Sequence, residues 1–159
     1  LPTDQKTVVL HPKSQGSALE WPIQKYIDLA NELLDLNYCV VFTGTESEAS
    51  HFRSKIPSHK NCIDTTGKLT LVELMSLISN SFALVACSTG PLHIAGYYQI
   101  KAIGLYSSRT PIHPGRWAPL GSKSQVIVRD EACETCKSGS KCDCLKEIEV
   151  VKIVSLIEK

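Results

Sequence analysis

The feature that most constrains this chain is an alternation of short apolar runs with segments of helical spacing. The apolar runs, which we predict to be strands, cover residues 6–10, 38–43, 61–64, 82–87, 101–106 and 125–128. The segments with apolar residues at three- and four-residue steps, which we predict to be helices, cover residues 22–36, 46–55, 70–78, 91–98 and 148–158. Strands this apolar are typical of parallel sheets buried on both faces. The alternation therefore predicts a three-layer α/β domain with a mainly parallel sheet.

Composition narrows the classes of protein that remain. The chain has 159 residues, 43% of them hydrophobic and 21% charged, with a formal charge of +1. A chain of this size holds one core and one domain. Its apolar runs are far shorter than the roughly 20 residues of a membrane helix, and the near-zero charge disfavours nucleic acid as a partner. Residues 1–10 lack the pattern of a secretory signal, so we expect a cytoplasmic location.

Helical periodicity also predicts which side chains face the core. The predicted core-facing residues of the first, third and last helices are Ile23, Tyr26, Ile27, Ala30, Leu33 and Leu34, then Leu71, Leu74, Met75 and Ile78, then Ile148, Val151, Val154 and Ile157. Cys39, Cys62 and Cys87 lie in or beside apolar runs, and we predict that they are buried free thiols.

The strand ALVAC and the segment after it predict an anion site. Ser88, Thr89 and Gly90 follow the strand directly, and Pro91 opens the next helix, whose first amides and dipole favour a bound anion. His93 lies in the first helical turn, where an imidazole can hydrogen-bond or neutralise a phosphate. The alternative is a helix cap made by Ser88 or Thr89 beside a half-buried structural histidine.

The segment STGPLHIAG, preceded by TGKLTLVELMSLISNSFALVA, resembles the donor-binding half of glycosyltransferase family 9, the lipopolysaccharide heptosyltransferases. VVLHPKSQGSALEWP, YCVVFTGTESE and KAIGLY resemble further motifs of that family in the same order, and CETC…CDCLKEI resembles its cysteine-bearing tail. The resemblance implies that residues 1–159 form one Rossmann-like domain that binds a nucleotide-sugar. This domain would be the C-terminal half of a GT-B glycosyltransferase whose N-terminal acceptor domain is absent.

The resemblance also implies a reaction. A sugar, expected to be heptose from ADP-heptose, would be transferred with inversion to the lipopolysaccharide core, without an essential metal. The general base and the acceptor would belong to the absent domain, so we expect this chain alone to bind nucleotide and to transfer nothing. An enzyme of this kind can be peripheral at the inner membrane. The alternative is a non-catalytic nucleotide-binding or scaffold module with the same fold.

The resemblance implies that the phosphates are bound by Ser88, Thr89, Gly90 and Pro91. It also implies that His93 stabilises the leaving group. Ser88 is uncharged where the family commonly has aspartate.

Two further positions would bind the rest of the nucleotide. Glu46 would accept from the ribose hydroxyls, with an exposed helix-start carboxylate as its alternative. Leu69 matches an apolar position that packs on the base.

The first loop departs from the family pattern. Leu19 stands two residues before Trp21, where the family usually has a phosphate-binding lysine. Lys13 and Ser14 can supply a substitute cation and hydroxyl, and the alternative for Lys13 is a solvated loop lysine.

The loop over residues 107–121 is rich in recognition side chains. Arg109, His113 and Arg116 are candidates for binding the diphosphate or an anionic acceptor, because guanidinium groups match phosphate oxygens. Among these we select Arg109 as a nucleotide-binding residue. Trp117 is predicted to be a packing anchor.

Four cysteines cluster near the end of the chain. Cys133, Cys136, Cys142 and Cys144 have the spacing CxxC, five residues, then CxC. Thiolates at such spacing can hold a structural zinc ion, and disulfides or reduced thiols remain alternatives. A cytoplasmic location disfavours disulfides.

Overall fold

The six predicted strands are all present and form one sheet. A computed structural model describes residues 4–109, 112–129, 132–139 and 142–159 of the chain. The strands are β1 (Thr7–His11), β2 (Cys39–Phe42), β3 (Cys62–Asp64), β4 (Ala83–Cys87), β5 (Lys101–Tyr106) and β6 (Gln125–Val128). Every neighbouring pair is parallel, and the order across the sheet is β3-β2-β1-β4-β5-β6. The predicted fold class is therefore confirmed.

Helices connect the strands and cover both faces of the sheet. They are α1 (Ile23–Asp35), α2 (Glu46–Ala49), α3 (Leu71–Ser79), α4 (Gly90–Tyr97), α5 (Pro114–Trp117), α6 (Glu134–Lys137) and α7 (Val150–Glu158), with a 3-10 turn at Arg53–Lys55. The one-turn helices α5 and α6 were not predicted, because four residues carry no periodic pattern. Within the described ranges, no helix combines the length and the apolar character needed to cross a bilayer.

The core has two halves, one on each face of the sheet. Alternate residues of each central strand point to opposite faces. On β1, for example, Val8 and Leu10 pack beneath α1 and α7, whereas Val9 packs beneath α3 and α4. Both faces are buried, which explains why the central strands have no polar alternation.

The predicted helix over residues 46–55 is wrong in its second half. The structure has the short helix α2 followed by the 3-10 turn. Thr45 and Glu48 form a capping box at the start of α2. After α2 the chain turns so that Phe52 packs against Phe42, with ring centroids 6.2 Å apart. A continued helix could not place Phe52 in the core and Arg53 beside β3 at once.

Two predicted core positions are also wrong. Leu71 is 65% exposed, because it is the first residue of α3 and the buried side of that helix is centred on Ile78. Val151 is 68% exposed, and Ile153 takes its place in the core with Ile157. The other predicted core residues of these segments are buried or partly buried, as predicted: Leu74, Met75, Ile78, Ile148, Val154 and Ile157.

Glycine at position 96 allows α4 to pack closely on the chain after α5. A Cβ there would overlap the carbonyl oxygen of Leu120 and lie 3.1 Å from its amide nitrogen, whereas a Cβ at Gly90 meets nothing within 4 Å. We expect Gly96→Ala to lower the free energy of unfolding by about 1–3 kcal/mol, as overpacking does. Gly90→Ala is the matched control in the same helix and should leave that free energy unchanged or slightly higher. Urea unfolding measures both; equal effects would contradict the close packing.

Candidate functional site

A cleft lies where the strand order reverses. Strand β1 lies between β2 and β4, so the connections that follow β1 and β4 leave the sheet in opposite directions. Parallel sheets bind ligands at such a point, beyond the carboxyl ends of their strands. The loops after β1, β2, β3 and β4 enclose a cleft of about 710 Å³ here.

Six of the predicted site residues line this cleft. They are Ser14, Glu46, Leu69, Thr89, Gly90 and Pro91. The structure does not bring the others to its wall: Lys13, Ser88, His93 and Arg109 are not among the lining residues of the described chain.

Thr89 is the most unusual group in the cleft. It is the residue before α4 and is only 6% exposed, yet its hydroxyl oxygen has no hydrogen-bond partner within the described chain. The side chain makes no cap hydrogen bond to the helix, so Thr89 is not the side-chain cap of the alternative interpretation. A buried hydroxyl without a partner is costly, and a bound ligand that supplies one removes that cost.

The start of α4 offers fewer free amides than the sequence implied. Pro91 has no N–H, and the amides of Leu92 and His93 both donate to the carbonyl oxygen of Thr89. Among the described groups at the start of α4, the Gly90 amide and the Thr89 hydroxyl have no acceptor and can donate to an anion. Gly90 has open space where a Cβ would stand, so a ligand can approach its backbone.

Ser88 and His93 lie away from the cleft. Ser88 borders a small pocket beside Leu19. His93 packs edge-on against Trp117, with ring centroids 6.4 Å apart, and burial lowers its pKa. The imidazole is therefore neutral at pH 7. Its predicted role at the leaving group stays a prediction.

Glu46 is held by an arginine at the other end of the cleft. Arg53 donates from Nη1 and Nη2 to the two carboxylate oxygens of Glu46, at 2.6 and 2.8 Å. These bonds lower the pKa of Glu46. Arg53 is itself fixed by Asp64, whose carboxylate lies 3.0 Å from Nε. Glu46 is thus exposed, as its alternative interpretation expected, but it is oriented and charged.

The loop after β1 keeps its lysine away from the cleft. Lys13 forms an ion pair with Glu20, and the same carboxylate accepts from the amide and hydroxyl of Ser14, at 2.9 and 3.1 Å. Burial raises the pKa of Glu20, but the bonds from Lys13 and Ser14 outweigh it and the net pKa is lowered. Lys13 is therefore neither a free cation nor a solvated lysine. It holds the loop together.

The candidates in the loop over residues 107–121 do not line the cleft, and residues 110–111 lie outside the described chain. The side chain of Arg116 lies over the ring of Trp117, 5.5 Å from its centroid. Trp117 is 42% exposed, so it is at most a partial packing anchor. Neither Arg109 nor His113 is among the lining residues of the cleft.

Sequence reasoning missed a buried pair at the floor of the cleft. His11 Nδ1 lies 2.9 Å from Thr43 Oγ1, and that hydroxyl donates to the carbonyl oxygen of Leu10 at 3.3 Å. Burial lowers the pKa of His11, although the nearby charge of Glu48 opposes the shift. The ring is neutral at pH 7, so Nδ1 donates to Thr43 and Nε2 is left as an acceptor. One sequence signal could have indicated this pair, because His11 ends one apolar strand and Thr43 directly follows another.

The profile of glycosyltransferase family 9 (heptosyltransferase) matches residues 1–146. The chain belongs to glycosyltransferase family 9. The resemblance stated from the motifs is thereby confirmed. The chain is 32% identical over 117 residues to lipooligosaccharide heptosyltransferase 2 of Haemophilus influenzae, covering 70% of this chain and 33% of that protein.

Two solved structures show the same fold. ADP-heptose lipopolysaccharide heptosyltransferase II of E. coli superimposes with a TM-score of 0.79 at 22% identity, covering 99% of this chain and 47% of that one. The E. coli heptosyltransferase WaaC with ADP gives 0.78 at 17% identity, covering 99% and 45%. The chain spans about a third of the curated relative and just under half of each solved chain. It thus corresponds to one half of a GT-B glycosyltransferase.

The depressed pKa of His11 makes the stability of the fold depend on pH. The unfolded imidazole titrates near 6.5, whereas the folded one stays neutral to lower pH. Stability is therefore intact above pH 6.5 and is lost as pH falls toward the folded pKa. His11→Asn keeps a donor near the position of Nδ1 but does not titrate. We expect the melting temperature of this variant to fall less than that of the wild type between pH 7.5 and 5.5.

The range above pH 7.5 is the internal control, because His11 is neutral there in both states and the two curves should run parallel. His93 also has a lowered pKa and should leave a residual slope in the variant. Identical slopes for wild type and variant below pH 6.5 would contradict the buried neutral His11.

Proposed function

We propose that this chain is the donor-binding half of an inverting glycosyltransferase and that its cleft binds a nucleoside diphosphate sugar, with ADP-heptose as the expected donor. The observation that carries the proposal is the buried, unpartnered hydroxyl of Thr89 at the start of α4. A phosphate oxygen is the acceptor that this hydroxyl and the Gly90 amide lack. The helix dipole adds to the attraction for an anion.

The rest of the cleft suits the nucleoside. Glu46, held by Arg53, presents carboxylate oxygens that can accept from ribose hydroxyls. Leu69 and Leu74 line the cleft beyond β3 and provide an apolar surface for the base. The order along the cleft is then diphosphate at β4, ribose at β2 and base at β3. Lys13, Ser88, His93 and Arg109 receive no contact in this arrangement.

The proposed reaction uses this half to stabilise the leaving group. When an acceptor hydroxyl attacks the sugar, the bond to the diphosphate breaks and negative charge develops on the phosphate oxygens. The Gly90 amide, the Thr89 hydroxyl and the α4 dipole would stabilise that charge. A general base would have to come from another domain. We therefore expect this chain alone to bind the donor without transferring sugar, the acceptor in the whole enzyme being the lipopolysaccharide core.

One observation favours the alternative, a non-catalytic nucleotide-binding or scaffold module. Among the residues that line the cleft in the described chain there is no lysine or arginine, and Lys13 is paired with Glu20. A diphosphate would be bound without a cationic side chain, which weakens its attraction to the cleft.

Calorimetric titration with ADP and UDP tests the phosphate site. Thr89→Val removes the unpartnered hydroxyl and keeps the shape, so we expect it to weaken ADP binding by roughly tenfold to hundredfold. The same change should leave the ligand-free fold equally or more stable, because it removes a buried polar group that has no partner. Gly90→Ala should weaken ADP binding too, by placing a methyl group where the phosphates approach.

Ser88→Ala is the matched control, since its hydroxyl lies outside the cleft, and it should bind ADP like the wild type. Selective ADP binding that is lost in the Thr89 and Gly90 variants supports the donor-binding domain. If protein shown to be folded gives no heat with either nucleotide, the result favours the non-catalytic scaffold module.

The ribose contact has its own test. Glu46→Gln removes the charge of the acceptor, and we expect it to weaken ADP binding by about threefold to tenfold. The matched ligand is a dideoxy ADP without both ribose hydroxyls, which should bind wild type and variant equally. Calorimetric or fluorescence titration gives the four affinities. An equal loss for both ligands would show that Glu46 acts on the fold and not on the ribose.

A further inference from the structure

The four clustered cysteines meet at one point of the fold, away from the cleft. Their sulfur atoms all lie within 4.8 Å of one another. Cys142 Sγ is 3.5 Å from Cys133 Sγ and 3.2 Å from Cys144 Sγ. All four are free thiols. The cleft and its proposed ligand use none of them.

The distances suit one tetrahedral ion. Zinc binds thiolate sulfur at about 2.3 Å, so four sulfurs at the corners of a tetrahedron around it lie roughly 3.8 Å apart. The sulfur separations here, from 3.2 Å to at most 4.8 Å, bracket that value. Pairwise disulfides would bring sulfurs to about 2.05 Å in two separate pairs and would not require all four to converge.

Local backbone structure holds the sulfurs in this arrangement. Cys133 precedes the one-turn helix α6 and Cys136 lies within it, so the three-residue spacing places both on one side of the turn. Gly139, with a φ of +78°, ends that turn, and its amide donates to the carbonyl oxygen of Cys136 at 3.0 Å. The Cys144 amide donates to Cys142 Sγ at 3.4 Å, as amides do toward metal-bound thiolates.

The described residues of the segment that carries the cysteines form little regular structure. Helix α6 is four residues long, far below the length at which an isolated helix is stable. Its neighbouring ion pairs, Lys137 with Glu134 and Lys146 with Asp143, join exposed side chains and contribute little. Among the described residues of this segment, Leu145 and Ile148, which are 3% and 2% exposed, belong to the main core.

We propose that Cys133, Cys136, Cys142 and Cys144 bind one Zn²⁺ ion as a structural site that orders the chain between β6 and α7. Binding displaces the thiol protons, so that Zn²⁺ and four thiols give one four-thiolate complex of charge 2− and four protons. Four protein sulfurs fill the coordination sphere, so no position is left for water or substrate. A soft four-sulfur set favours zinc over magnesium or calcium.

The test uses the whole chain, purified in reducing buffer with added zinc and then desalted. We expect elemental analysis to find one zinc per chain and X-ray absorption to find four sulfur neighbours at about 2.3 Å. Cys144→Ser should weaken zinc binding by at least about a hundredfold, more than the loss of an outer-shell partner causes. Cys62→Ser is the matched control, because Cys62 is a free thiol outside the cluster, and it should keep the metal.

A second measurement tests the proposal even where the Cys144→Ser variant does not fold, because it uses the wild-type chain. Metal-stripped wild type titrated with Co²⁺ should develop the visible absorption of a tetrahedral four-thiolate complex, saturating at one equivalent and reversed by zinc. Any of four results would overturn the proposal. The wild type could contain no zinc after this preparation, or iron in its place; Cys144→Ser could keep its full zinc content; or mass spectrometry could find two disulfides in this segment. None of these readouts involves nucleotide, so the result is independent of ADP binding.

Discussion

The order of strands in the parallel sheet determines where this domain can bind a ligand. Because β1 lies between β2 and β4, the chain leaves the two central strands in opposite directions and leaves a gap above their ends. The apolar strands are buried on both faces, so polar side chains can reach a ligand only from the loops at that edge. Four separate loops contribute to the cleft for this reason, and no single motif in the sequence contains it.

The charges around the cleft follow from pairing within these loops. Glu20 forms an ion pair with Lys13 and accepts a hydrogen bond from the amide of Ser14. These contacts close the loop after β1 and pair the charge of its lysine. Arg53 in turn is committed to Glu46 and Asp64. The polar groups that the described residues present on the cleft wall are mainly hydroxyls, backbone amides and carboxylates that are already paired. A diphosphate would therefore depend on the start of α4, which is also where the structure leaves a buried hydroxyl without a partner.

The sequence predicted most where a residue's environment depends on its near neighbours. The strands were found because burial on both faces makes each a continuous apolar run. Thr89 and Gly90 were found because they follow such a run, whereas Glu46 was selected through the resemblance to the family. The pairing of His11 with Thr43 depends on the register of β1 against β2, which joins residues 32 apart. The break after α2 depends on Phe52 reaching Phe42, and the ion pairs of Lys13 and Arg53 depend on how the loops fold back. No local pattern contains that information.

Trp21 joins the end of β4, beside the cleft, to the chain that follows the cysteine cluster. Its amide donates to Cys87 Sγ at 3.3 Å, at the end of β4 and two residues before Thr89. Its indole N–H donates to the carbonyl oxygen of Ile148 at 3.1 Å, and Lys25 Nζ donates to the same oxygen at 2.7 Å. Ile148 follows the last cysteine by four residues. A metal that orders the cysteine segment would thus also restrain Ile148, and through Trp21 the loop after β1 that forms one wall of the cleft. Zinc and nucleotide would occupy separate sites, and Trp21 is the buried side chain that joins the segments beside them.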